Sequence, residues 1–444
     1  MTAIEILARF AADSAKVPLP PDVLHAAQRA VVDWYASIYP GLALEAVGVL
    51  ERVLADDLDR GRARLVGRGA GRAATVRAAA LYNGTAAHAA EIDDSFRDAM
   101  YHPGAATIAA ALAMAQSVNA PGPAFLRAIV LGYELSTRIG VAMGRPHYEF
   151  WHNTGTIGSF GAAAAAAALL QLDELATARA LAIAATFTAG LQQAFRHESM
   201  AKPLHAGRAA EAGVLAAQLA ATGMRSSLDA LDGEAGLGRA MSTGPDWSAI
   251  GATLGQDFHI TRLTFKNHIG CGHTFAAIDG ALALQRQHGF THADIERLDL
   301  GVYQSTLDIA PHVDPQNADQ ARFSLHYMVA TALVHGSVRL AAFEPPRLND
   351  PATRALMTRI AKALDRDIDA AFPGRRGARV EILLRDGRRL VHLQPDRKGD
   401  PELPLSDADL EGKLLELAEP TIGAAQARAL LSRIWALHEQ PGLP

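Results

Sequence analysis

Cysteine is almost missing from this 444-residue sequence, in which Cys271 stands alone. One thiol excludes an internal disulfide framework and any zinc or iron–sulfur site built on several cysteines. A strong charge of one sign is lacking too. The 42 Lys and Arg stand against 47 Asp and Glu, a formal net charge of −5, so there is no electrostatic case for a nucleic-acid or anionic-membrane partner. The most apolar runs, Ala105–Ala115 and Phe160–Leu170, fall well short of the about 20 residues that a membrane-crossing helix needs. The opening MTAIEILARFAADSAK has Glu5 inside its apolar stretch and no basic segment, unlike a secretory leader. A reduced, soluble, cytoplasmic protein is therefore expected. What is present is ordinary for a globular chain: 49% hydrophobic and 20% charged residues, with length enough for two or three domains at roughly 100–200 residues each.

Alanine dominates the first 250 residues and aromatics make up only 6%, a composition favoured by helices that pack closely on one another. Ile4, Leu7, Ala8 and Ala11 recur at helical spacing, as do Val23, Ala26, Ala27, Ala30 and Val31 after the start signal Pro20-Pro21-Asp22. Further helices are predicted over Glu45–Asp57, Ala73–Ala90, Ala105–Val118, Pro123–Met143, Thr156–Leu170, Leu175–Gln192, His205–Thr222 and Ser227–Leu231. The texture changes after about Gly255. Ile295–Tyr303 alternates as a half-buried strand does, and Arg379–Leu384 and Arg389–Leu393 flank an Asp386-Gly387 hairpin signal. Helices are predicted here at Thr274–His288 and Phe323–Leu333, then again at Asp407–Ala418 and Ala424–His438 after a linker at Asp396–Pro404. The predicted fold is mainly α: a large all-helical domain (residues 1–255 plus 399–444) with an inserted α+β domain (256–398).

Four polar clusters interrupt the alanine background. The first runs from His88 through Glu91, Asp93, Asp94, Ser95, Arg97 and Asp98 to His102-Pro103-Gly104. It reads either as a helix end passing into a solvated loop or, with Glu91, Asp94, Ser95 and Asp98 at helical spacing, as one lined face. The second, Arg145 to Thr156, holds His147, Tyr148, Trp151 and His152 just before a helix start, where spare backbone N–H groups can receive a carboxylate. An N-cap over an aromatic loop is the alternative. The third, Gln192 to Arg208, places Arg196, Lys202 and His205 around a short link between helices, as surface charge or as an anion site. The fourth, Phe265-Lys266-Asn267-His268-Ile269-Gly270-Cys271-Gly272-His273-Thr274, is a dense polar loop at the expected domain junction. His268, Cys271 and His273 are possible metal ligands, but no second thiol or HExxH helix accompanies them, so no metal is expected. A Cys/His nucleophile pair is a further possibility, as is a Cys271 that merely packs. The segment Gly67–Arg72 lacks the P-loop lysine pattern and the GxGxxG spacing.

These clusters, in this order, resemble the MmgE/PrpD family of 2-methylcitrate dehydratase, cis-aconitate decarboxylase and iminodisuccinate epimerase. The resemblance rests on NGTAAHAAEIDDSFRDAMYHPGAATIAAALA, GYELSTRIG, WHNTGTIGSFGAAAAAA, KPLHAGRAAEAG, FKNHIGCGHTFAAIDGALAL and ARFSLHYMVATAL, over roughly residues 82–335. It implies a helical body, an α+β lid, a homodimer, no redox or organic cofactor, and a small di- or tricarboxylate substrate that passes through a carbanion beside a carboxylate. His102, His152, Lys202 and Lys266 match positions around the substrate in the decarboxylase branch. Ser95 stands where that branch has Thr and Glu91 where it has Asp, and the extra methylene disfavours direct transfer of the decarboxylase mechanism. The wording EIDDSFRDAMYHPGA and FKNHIGCGHTF is closer to the epimerase branch.

The expected function is thus an epimerase of an iminodisuccinate-like imino- or amino-dicarboxylate. Lys266 and Tyr148 would supply base and acid on opposite faces of one stereocentre, with Glu91, Ser95, Arg97, His102, His152, Arg196, Lys202, His205, His268 and His273 around the substrate. A dehydratase of the methylcitrate type and a cis-aconitate decarboxylase are the alternatives. A non-catalytic helical scaffold is a distant one, because packing alone gives no reason to concentrate His, Lys and Arg at each helix junction.

Overall fold

The computed structural model describes residues 1–14, 17–68, 72–195 and 199–443. The chain divides into two compact units, residues 1–264 with 406–444, and residues 265–405.

In the first unit the alanine runs become helices packed at close range. Gly158–Leu169 is apolar all round, and every residue of it but Ala168 is buried, as expected of a helix at the centre of a bundle. Around it pack Pro103–Val118, Gly122–Phe150, Glu174–Phe187 and Ala201–Ala221, the last of which also lies along Val76–Ala89. The approach of those two helices needs glycine: a Cβ on Gly207 would stand 2.1 Å from Thr85 Oγ1 and 2.2 Å from the Leu81 carbonyl oxygen. Small side chains thus exchange area per residue for close dispersion contact. Local signals fix the helix starts, with Thr75 accepting from the Ala78 N–H and Asp173 from the Ala176 N–H. Asp407–Ile422 returns from beyond the second unit's sequence and packs on Pro21–Gly41.

Several boundaries differ from the sequence reading. The body is not wholly helical: Leu58–Leu65 and Arg72–Ala74 pair as an antiparallel hairpin, which the arginines among its apolar residues conceal. Ser227–Leu231 forms turns. The helix predicted to end at Met143 continues to Phe150 across a kink at Gly144 (φ 68°), and the one predicted to reach Gln192 stops at Phe187. The first unit also keeps residues 256–264. Arg138 donates to the Asp257 carbonyl at 2.8 Å, His259 Nδ1 lies 2.9 Å from Thr137 Oγ1, and Ser95 and Thr264 exchange backbone hydrogen bonds of 2.9 Å.

The second unit carries a four-stranded sheet in the order Ile360–Leu364, Ile295–Val302, Ala378–Leu384, Arg389–Gln394. The first pair is parallel and the others antiparallel. Ala378–Leu384 alternates buried and half-buried residues along its whole length, and Phe275–His288 packs on it and on Arg389–Gln394. Ile360–Leu364 is an edge strand with only Ile360 buried, so its sequence has no alternation to read. Among the described residues no helix is long and apolar enough to cross a membrane.

Candidate active site

Helix Val76–Ala89 carries His88 in its last turn, and the chain leaves it through Glu91, whose backbone is left-handed (φ 57°). That conformation costs a non-glycine residue about 1–2 kcal/mol, and it ends the helix. Glu91, Asp94, Ser95 and Asp98 therefore do not share a helical face. They stand on a folded loop that leads to His102 at the start of helix Pro103–Val118.

Three side chains of this loop region converge. His88 Nδ1 lies 2.8 Å from Asp93 Oδ2, with both residues buried, and His102 Nδ1 lies 3.4 Å from the same oxygen. His102 Nδ1 is also 2.6 Å from the Asp94 carbonyl oxygen. A carbonyl only accepts, so His102 carries a proton on Nδ1, and the Asp93 carboxyl orients His88 in the same way. That leaves His88 Nε2 as a buried nitrogen with no hydrogen-bond partner among the described residues, a cost of about 1–3 kcal/mol until something donates to it. The donor atoms of His88, Asp93 and His102 lie within 4.8 Å of one another. A ring whose Nδ1 proton is held by a carboxylate or carbonyl keeps its Nε2 lone pair for a ligand.

Asp94 turns the other way. Its Oδ1 accepts from the Gly104 N–H at 3.0 Å and its Oδ2 from the Tyr133 hydroxyl at 2.7 Å. Burial, and then the nearby charge of Asp33, push its carboxyl up to about 8. Only a glycine fits at 104, because a Cβ there would lie 2.8 Å from Asp94 Oδ1.

Two more histidines and a lysine complete the cluster. The His152 backbone N–H donates to the Gly190 carbonyl, and its Nδ1 sits 3.0 Å from His205 Nδ1. Its ring stacks on His88 with centroids 5.5 Å apart and meets the edge of Phe195 at 4.7 Å. Lys202, one turn before His205 on helix Ala201–Ala221, pairs with Glu91 at 2.9 Å and stands 4.9 Å over the Phe195 ring. Burial holds the His152 imidazole well below its ordinary range, and His88, Lys202, His205 and His102 depress it further. His205 is lowered by burial and then by His88 and Lys202. Burial first, and then these neighbours, keep the His152 and His205 imidazoles neutral, while His102 and Lys202 stand at the positive ends of the 103–118 and 201–221 helices.

Of the residues singled out from sequence, Glu91, His102, His152, Lys202 and His205 meet in this cluster. Ser95 is engaged through its backbone with Thr264, and Arg97 lies 3.8 Å from Asp98. Tyr148 is exposed at the end of helix Gly122–Phe150, its carbonyl accepting from Gln192. Arg196 lies outside the described residues, as do Gly69, Ala70 and Gly71 of the Gly67–Arg72 segment. Sequence reasoning quoted His88 and Asp93 without giving them roles, and placed Asp94 only on a helical face that does not form. Their signal was present in HAAEIDD, but the pairing depends on the turn at Glu91.

The second unit holds Lys266, His268 and His273. Lys266 is half-buried. His268 and His273 do not form a common site. His268 Nε2 lies 3.0 Å from Asp279, whose other oxygen accepts from the Lys398 N–H. His273 Nδ1 lies 2.8 Å from the Tyr303 hydroxyl, and burial, then Arg376 and Arg397, push it down to about 4. Cys271 is buried and its N–H donates to the Arg322 carbonyl.

A family model described as the MmgE/PrpD N-terminal domain matches residues 5–250, and one described as the MmgE/PrpD C-terminal domain matches residues 268–438. The cis-aconitate decarboxylase-like protein oryM of Aspergillus oryzae is 27% identical over 447 residues, covering 94% of this chain and 91% of that protein. Cis-aconitate decarboxylase of Homo sapiens is 28% identical over 353 residues, covering 76% of this chain and 71% of that protein. The Mus musculus cis-aconitate decarboxylase is 26% identical over 381 residues, with 81% and 75% covered.

Proposed function

The chain belongs to the MmgE/PrpD family, and from that footing we propose that it is a cofactor-independent enzyme that makes or quenches a carbanion beside a carboxylate of a small di- or tricarboxylate. The observation that carries this reading is the group of His88, His102, His152, His205 and Lys202, in which burial first, and then the neighbouring groups, depress the proton affinity of His152 and His205. Glu91 already pairs with Lys202, and Asp93 with His88, and a polycarboxylate entering the cluster would compete for the same donors. Lys202 and His102 would hold carboxylate oxygens, and the neutral His152 imidazole can take a proton. The Lys202 ammonium and the helix N-terminus that carries it would stabilise the charge that develops on the substrate.

Two outcomes of that carbanion remain in view. Lyase chemistry is supported by the names of the relatives, two cis-aconitate decarboxylases and one decarboxylase-like protein. Epimerisation of an iminodisuccinate-like substrate, with Lys266 and Tyr148 as the opposed base and acid, is supported by Glu91, whose longer carboxylate reaches Lys202 at 2.9 Å where the decarboxylase branch has Asp. A homodimer belongs to the same proposal.

The test is proton NMR in deuterated water with iminodisuccinate stereoisomers, 2-methylcitrate and cis-aconitate in turn. Deuterium at the α-position with interconversion of stereoisomers makes the protein an epimerase. In that case Lys266→Ala and Tyr148→Phe should each abolish exchange, and wild-type rates in both would overturn the two-base assignment. Itaconate from cis-aconitate, or water loss from methylcitrate, makes it the corresponding lyase.

A further inference from the structure

The His152–His205 contact has an internal logic of its own. Two imidazole nitrogens 3.0 Å apart must share a single proton: two lone pairs repel and two N–H groups collide. With both rings neutral, one is protonated on Nδ1 and the other on Nε2. The seat of this pair is built into the backbone. A Cβ on Gly190 (φ 127°) would come within 3.1 Å of His205 Nδ1, and one on Gly155 within 3.1 Å of His205 Cβ. Gly190 thus clears the space for the very atom that meets His152, while its carbonyl holds the His152 N–H at 2.8 Å.

The two rings also differ in what they face. His152 is buried against His88 and Phe195. His205 is half-buried and lines a cavity of about 450 Å³ with Ala189, Gly190, Gln193, Ser199 and Arg208. Arg208 is paired there with Glu211. The pair therefore runs from the interior of the cluster to an open cavity.

We propose that His152 and His205 form a proton relay between the substrate and solvent, a role that rests on the reading of this cluster as the place where a substrate proton is moved. His152, protonated on Nδ1, takes the proton from carbon through its Nε2 lone pair, and the electron pair of the C–H bond stays on the substrate as the carbanion. The Nδ1 proton of His152 passes to Nδ1 of His205, and the Nε2 proton of His205 leaves to water in the cavity. Both rings end neutral with their tautomers exchanged, and the reverse passage delivers a proton to the carbanion.

The first test needs no substrate. In protein labelled with ¹⁵N-histidine, opposite tautomers for His152 and His205 and a scalar coupling between their Nδ1 nuclei across the hydrogen bond are expected. Like tautomers without coupling would overturn the relay. The second test is kinetic, on whichever substrate shows turnover or deuterium exchange. His205→Ala should lower the rate at least about tenfold in weakly buffered solution, and added imidazole should restore it through the cavity. His205→Asn, which keeps a hydrogen bond to His152 but cannot pass a proton on, should be equally slow. A wild-type rate in His205→Asn, or a loss in His205→Ala that imidazole does not repair, would reduce His205 to a positioning group and sink the proposal. If none of the three substrates reacts, the reading of the reaction fails and the nitrogen coupling alone decides the relay.

Discussion

The Lys413 ammonium lies 2.6 Å from Asp33 Oδ1 and 2.7 Å from the Ile92 carbonyl oxygen, with both ionised side chains fully buried. Residues more than 300 positions apart thereby hold the backbone of the loop that presents Asp93 and Asp94. Removing one partner strands the other charge in the interior, which costs about 3–5 kcal/mol. Lys413→Met should accordingly lower the denaturant midpoint strongly, and adding Asp33→Asn should recover part of the loss. Equal midpoints for wild type and Lys413→Met would show that the pair carries no such weight.

Glu91 separates strain from function. Glu91→Gly removes an ion pair between partly exposed side chains, worth about 0.2–1 kcal/mol, and relieves a left-handed backbone that costs about 1–2 kcal/mol. The thermal midpoint should therefore stay within about 2 °C of wild type. Turnover should nevertheless fall by at least about tenfold, because Lys202 loses the partner that fixes it. Unchanged turnover in Glu91→Gly would remove the Glu91–Lys202 pair from the working site.

Asp94 makes stability depend on pH in a definite direction. Its folded-state value of about 8 stands above the ordinary 3.8, so between those limits the folded protein holds a proton that the unfolded chain has released. The stabilisation is complete below about pH 4, declines as pH rises, and is gone above pH 8. Asp94→Asn should flatten this slope in urea titrations across that range. Asp33→Asn should reduce it, because the Asp33 charge is the second cause of the shift. Parallel profiles for wild type and Asp94→Asn would refute the assignment.

Much of this molecule was readable from its residues because the information is local. Alanine-rich composition gave the helices, Asp386-Gly387 gave the hairpin between Ala378–Leu384 and Arg389–Gln394, and Lys202 and His205 stood out as polar residues in or beside a short link between helices. Where the reading failed, pairing with another strand had decided the matter. Leu58–Leu65 is a strand because Arg72–Ala74 pairs with it. Ile360–Leu364 is one because Ile295–Val302 offers an edge.

The sequence by itself determined the family, the mainly helical architecture and the kinds of side chain at the site, since propensity and motif order are written residue by residue. Tertiary structure alone decided their states. That His88 and His102 carry protons on Nδ1 and that His152 and His205 share one follow from distances of about 3 Å set by chain crossings, and that Asp94 holds its own near neutrality follows from its burial near the Asp33 charge. Proton affinity depends on burial and on which charges lie nearby, and a linear sequence specifies neither until the chain has folded.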